Sequence, residues 1–190
     1  MTNLALGSNL APPLQPLSSN QNNLDIRAIT EQSRKGMVKE MNAFELLKAD
    51  HDKVAKLLKR IDETTERGVK TREDLFTQVK SELDLHAQIE ETIFYPALEE
   101  ADATRDITLE AYEEHRIVKQ LLTELESMSK DSEEWTARFS VLKENVEHHV
   151  EEEEGEMFPK AKKVLSKEDQ ETLGTRMEEA KAKKAQAKRA

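Results

Sequence analysis

Four stretches of this chain place apolar residues at alternating steps of three and four, and each of the four stripes contains one histidine. That spacing marks the inward face of an amphipathic helix. The stripes run Phe44, Leu47, His51, Val54, Leu58, Ile61; Phe76, Val79, Leu83, His86, Glu90, Ile93; Thr108, Ala111, His115, Val118, Leu122, Leu125; and Trp135, Phe139, Leu142, Val146, His149, Glu153, Met157. Two of them add a glutamate one turn after the histidine. A chain built this way brings four imidazoles and two carboxylates into one interior.

The register of the last stripe decides between adjacent candidates in HHVEEEEGEMFP. Shifting it by one residue gives Val141, Asn145, His148, Glu152, which is half polar. His149 and Glu153 therefore face inward, and His148 and Glu152 face water. An internal repeat agrees. HAQIEETIFYP aligns with HVEEEEGEMFP, setting His86 over His149 and Glu90 over Glu153, with six residues from each glutamate to a proline. The matching intervals from His51 to His86 and from His115 to His149 suggest two helix pairs of like design.

Charged residues make up 36 % of the 190, hydrophobic ones 36 % and aromatics 4 %, with five Gly and five Pro. This profile is mostly helical. A net charge of −10 repels phosphates and makes nucleic acid a poor partner. With no cysteine, disulfides and thiolate metal sites are excluded. No apolar run approaches the about 18 residues of a membrane span, and the first residues lack the pattern of a secretion signal. The expected compartment is the cytoplasm.

Along the chain, residues 1–38, rich in Asn, Ser, Pro and Gln, read as a disordered leader, and Met41 is an alternative start of translation. Helices are expected from Asn42 with Glu45 to about Asp62, from Thr71 with Asp74 to about Tyr95, from Asp106 to about Met128, and from Asp131 with Glu134 to about Phe158. Short connections make them an all-α, up-down antiparallel four-helix bundle over 39–163. Ser166 with Asp169 opens a short fifth helix through Leu173 and Met177, and the basic tail within 164–190 frays into solvent.

A glutamate is almost never fully buried unless paired or bound to a cation. Two glutamates on core stripes, each a turn from a histidine, point to a metal site formed by His51, His86, Glu90, His115, His149 and Glu153. Six ligands exceed one tetrahedral zinc, and four histidines argue against calcium and magnesium. Mixed nitrogen and oxygen ligation in a bundle core fits a pair of transition-metal ions bridged by Glu90 and Glu153, with iron the leading candidate and zinc or manganese open. The alternative is a buried His–Glu hydrogen-bond network without metal.

The segments ADHDKV, HAQIEETIFYP, EEHRIVKQL and HHVEEEEGEMFP resemble the hemerythrin-like, or HHE cation-binding, domains over about residues 42 to 160. The resemblance implies an oxygen-bridged, non-haem di-iron centre that meets dioxygen or related small oxidants. It also departs from the oxygen-carrying members. Their third helix supplies two histidines a turn apart, whereas here Lys119 follows His115; their fourth helix spaces its ligands by five, whereas His149 and Glu153 are four apart. Of about twelve positions on two octahedral ions, about two then stay open. An opener centre favours redox turnover, peroxide or nitric oxide reaction, or sensing over reversible oxygen carriage. Two other readings stand beside it: a non-catalytic iron- or oxygen-responsive module, and a metal-free helical interaction protein. Tyr95 and Tyr112 are read as donors beside the ligands or as core packing, and Lys119 as a snorkelling surface lysine. Phe76, Ile89, Ile93, Leu122 and Trp135 are read as the packing that keeps the centre dry.

Overall fold

Asn42 caps the first helix, α1 (Ala43–Asp62), with a reciprocal box: its side chain accepts from the Glu45 N–H at 3.1 Å, and Glu45 accepts from the Asn42 N–H at 3.2 Å. The computed structural model describes residues 41–187. The chain divides into Met1–Lys39 and Glu40–Ala190, and the described helices all lie in the second unit. The leader expected over residues 1–38 lies outside the described residues.

The next long helix, α2 (Val69–Ile89), follows a 3-10 turn at Glu66–Gly68 and begins two residues before Thr71, with no side-chain cap. Arg72 anchors this end instead, donating to Thr64 Oγ1 at 2.8 Å and to the Lys130 carbonyl at 2.9 Å. A short helix α3 (Tyr95–Leu98) leads to α4 (Asp102–Ser127), which starts four residues before Asp106. Its first turn is tied down by Thr104, whose hydroxyl donates to the Leu98 carbonyl at 2.6 Å. Ser132, rather than Asp131, caps α5 (Glu133–Glu152), accepting from the Trp135 N–H. After α6 (Phe158–Val164), Ser166 and Asp169 form the expected box, with each side chain accepting from the other's N–H at 3.1 Å. The helix it opens, α7 (Lys167–Ala187), is not short: it runs 21 residues and includes Lys181, Lys183 and Lys184, while the last three residues of the basic tail lie outside the described residues.

All regular structure among the described residues is helical. Helices α1, α2, α4 and α5 form the up-down antiparallel bundle, each packed against its two neighbours around the ring. Its interior is two separate apolar clusters. One joins Leu58, Phe76, Leu122, Trp135 and Phe139; the other joins Phe44, Leu47, Ile89, Phe94, Tyr95, Leu98 and Phe158, and takes Leu173 and Met177 from α7. The four histidines and two glutamates are the layer between them. Each histidine is about 5 % exposed, Glu90 is 0 % and Glu153 1 %.

Both glutamates begin a π-helical turn, at Glu90–Phe94 and Glu153–Met157. The closing N–H of Tyr95 reaches the Glu90 carbonyl, and that of Phe158 reaches Glu153, each five residues back. Pro96 and Pro159 supply the reason. A proline ring clashes with the carbonyl four residues earlier and offers no N–H, so the wider turn relieves a helix that would otherwise break. The extra residue shifts the stripe. Ile93, expected in the core, is half-buried, and Phe94 and Tyr95 are buried in its place.

Candidate metal centre

The six residues expected at the centre all meet in this layer. Nε2 of His51 stands 3.0 Å from Glu153 Oε2, and Nε2 of His86 stands 3.1 Å from Glu90 Oε2. On the other side, Nε2 of His115 is 3.3 Å from Glu90 Oε2 and 3.3 Å from Nε2 of His149, which is 4.0 Å from Glu153 Oε2. Their donor atoms fall into two groups, His51, His86, Glu90 and Glu153 in one, and Glu90, His115 and His149 in the other. Glu90 belongs to both.

Nε2 of His51, both nitrogens of His86 and all four carboxylate oxygens of Glu90 and Glu153 are buried without a hydrogen-bond partner. Buried polar atoms are otherwise paired as a rule. Here lone pairs face one another across about 3 Å without hydrogen-bond geometry. That is the arrangement a cation completes, and the imidazole and carboxylate donors fit a transition metal.

Protonation differs across the layer: burial opposes charge on His51, but Glu153 and Glu154 outweigh it and raise that imidazole. Burial, then the neighbouring His149 and His86, push His115 down to about 2, and burial also lowers His86. Both stay neutral, as ligands must. Burial and then the adjacent Glu153 charge hold the Glu90 carboxyl well above the usual range. Burial also opposes charge on Glu153, but the His51 contact and the neighbouring imidazoles outweigh it and lower that carboxyl to about 2.

A second ring of carboxylates orients the histidines. Nδ1 of His51 donates to Glu154 at 2.9 Å, Nδ1 of His115 to Glu91 at 3.0 Å, and Nδ1 of His149 to Glu114 at 2.8 Å; Nδ1 of His86 faces Asp50 at 3.7 Å. Such partners fix the tautomer and aim the other nitrogen inward. The ring follows the internal repeat. Glu154 and Glu91 each follow a core glutamate by one residue, and Asp50 and Glu114 each precede a histidine by one. This pairing was missed in the sequence because each carboxylate serves a histidine of another helix. Its signal was the repeated adjacency itself.

Lys119, its side chain 44 % exposed, donates at the surface to both oxygens of Glu91, at 2.5 and 2.7 Å, while Lys48 donates to Glu154 at 2.5 Å. Tyr95 is fully buried, with its hydroxyl 3.4 Å from Nε2 of His115. Burial, reinforced by Glu90 and Glu153, keeps that phenol protonated. Tyr112 donates to the Glu91 carbonyl at 3.5 Å and packs edge-on against Tyr95, with ring centroids 5.0 Å apart. His148 points outward, its side chain 62 % exposed.

Residues 42–161 match the family model of the hemerythrin HHE cation-binding domain. A protein of Nostoc sp. described as a DNA nickase is 30 % identical over 156 residues, covering 82 % of this chain but only 43 % of that protein's length. Rv2633c of Mycobacterium tuberculosis is 33 % identical over 141 residues, covering 72 % of this chain and 83 % of its own. The crystal structure of an HHE domain-containing Rv2633c homolog from Mycobacterium kansasii is 30 % identical with a TM-score of 0.65, covering 75 % of this chain and 89 % of that one. With the motifs, the bundle and the buried His/Glu layer in agreement, the chain belongs to the hemerythrin HHE cation-binding domain family.

Proposed function

We propose that the centre holds two transition-metal ions, with iron foremost, and that the loaded protein binds, senses or reacts with dioxygen or a related oxidant such as peroxide or nitric oxide. The carrying observation is that two groups of buried donor atoms share Glu90, and that in the group of His51, His86, Glu90 and Glu153 the facing lone pairs are unpaired. Left unpaired, each such group costs about 1–3 kcal/mol. His51, His86, Glu90 and Glu153 would hold one ion, and His115, His149 and the shared Glu90 the other. When bound, the metal pair supplies redox chemistry and coordination positions open to a small molecule.

The protein's own residues set what reaches it. A cavity of about 20 Å³ lies beside the four histidines, walled by Val54, Leu83, Val118, Leu122 and Val146. About 10–15 Å³ suffices for one water, so the cavity suits a diatomic molecule or peroxide and excludes an organic substrate. Tyr95 keeps a proton beside His115, in the apolar cluster on the other side of the histidine layer from that cavity. Lys119 lines the cavity and pairs with Glu91. Among the described residues, no helix is long and apolar enough to cross a membrane. Nucleic acid is not proposed as a partner, because the net charge of −10 repels it.

Elemental analysis of protein purified without added metal, followed by peroxide and nitric oxide consumption assays, tests the reading. About two ions per chain are expected, with iron predominant. Catalytic loss of oxidant marks a redox role; metal-dependent protection from proteolysis without turnover marks a sensor. Metal-free protein that binds neither ferrous iron nor zinc or manganese would overturn the reading.

A further inference from the structure

The residues matched by the family model end at 161, yet α7 (Lys167–Ala187) reaches back to the ring around the centre. Its seat is defined. Leu173 and Met177 are buried in the cluster below the histidine layer. Between them, a Cβ at Gly174 would lie 2.3 Å from the Met41 carbonyl oxygen and 2.8 Å from the Asn42 carbonyl carbon, so only glycine permits the approach. One turn beyond Met177, Lys181 donates to Asp50 Oδ1, and Lys184 donates to Gln88 Oε1 at 2.7 Å.

Asp50 is the carboxylate that faces Nδ1 of His86. The other three outer carboxylates stand 2.8 to 3.0 Å from their histidines, whereas this one stands at 3.7 Å and leaves Nδ1 of His86 unpaired. Of the four core histidines, His86 alone lacks a hydrogen bond at Nδ1, where it meets Asp50 only at ion-pair distance. The lysines on Glu154 and Glu91 come from α1 and α4 of the bundle; the lysine on Asp50 comes from α7.

We propose that α7 braces one half of the centre: by holding Asp50, Lys181 steadies His86, so that metal loading of the His51–His86 half and seating of α7 strengthen each other. Lys181 and Asp50 are positioning residues, acting through His86. The inference rests on the proposed metal centre. The coupling is reciprocal, since whatever a seated α7 adds to metal affinity, bound metal must return to the seating of α7.

The test is an anaerobic ferrous-iron titration of the full chain, with amide exchange across α7 read before and after loading. Lys181→Met is expected to weaken one of the two ions about 3- to 30-fold and leave the other unchanged. Lys181→Arg should restore it. Lys184→Met, which removes a contact of α7 that touches no outer carboxylate, should leave both ions unchanged. Loading should slow exchange in α7 of the unmodified chain and not of Lys181→Met. Two ions bound by Lys181→Met as tightly as by the unmodified chain would overturn the brace alone. So would equal weakening of both ions by Lys181→Met and Lys184→Met, the sign of a helix that only stabilises the fold. If the unmodified chain binds no iron, the metal centre itself fails, and the brace with it.

Discussion

Glu154 accepts a hydrogen bond from Nδ1 of His51 at 2.9 Å, although 103 residues separate them. An ionised carboxylate has only lone pairs to offer, so the proton must sit on Nδ1. In the neutral ring, the Nε2 lone pair of His51 is then left facing the centre. Lys48 and His51 hold the Glu154 carboxyl below its usual range against the opposing effect of burial, which keeps it in the form that does this.

Glu154→Ala should therefore loosen His51 without emptying the core. Metal affinity is expected to fall about 10- to 100-fold, read by competition against a coloured chelator. Unchanged affinity would mean that the outer ring is ornamental.

Glu90→Gln should separate binding from stability. Its carboxyl is raised by burial and by Glu153, so its stabilising contribution is fully present below the ordinary value of 4.5 and is lost as pH rises through the folded value. In metal-free protein at neutral pH, Glu90→Gln is expected to be more stable by about 1–3 kcal/mol, a difference that vanishes near pH 4. The same variant should lose the metal pair. Denaturant unfolding of chelator-treated samples at both pH values checks the sign.

Arg72→Met should do the reverse. Arg72 is 5 % exposed, joins Thr64, the Lys130 carbonyl and Thr136, and lies 5.4 Å from the centre of the Trp135 ring. It sits about 20 Å along α2 from His86 at 1.5 Å per residue. Stability should drop by about 2–4 kcal/mol while metal stoichiometry holds, measured by thermal unfolding and elemental analysis.

Gly174→Ala should lift α7. The added methyl meets backbone rather than a movable side chain, and overpacking of this kind costs about 1–3 kcal/mol. Faster amide exchange confined to residues 167–187 and the adjoining start of α1 is the expected result.

The residues of the histidine and glutamate layer were legible because a histidine on a three-and-four stripe has only one direction to point, and because the repeat set His149 rather than His148 opposite His86. Four features were hidden. The π turns at Glu90 and Glu153 change hydrogen-bond register without changing composition, so Ile93 was placed in the core where Phe94 and Tyr95 lie. The outer carboxylates serve partners across the bundle, which periodicity within one helix does not reveal. Helix α7 has a narrow apolar seam at Leu173, Gly174 and Met177, and its later turns are held by lysines on Asp50 and Gln88. The helix starts at Val69 and Asp102 lack side-chain caps, so Thr71 and Asp106 were drawn as boundaries and proved to lie inside.

The most direct test is an anomalous difference map, recorded at the iron edge from crystals of protein purified without added metal. Two peaks are expected, one against Nε2 of His51 and His86, the other against Nε2 of His115 and His149, both within bonding distance of Glu90. A map without peaks in that layer, with the imidazoles hydrogen-bonded to Glu90 and Glu153 instead, would contradict the metal pair.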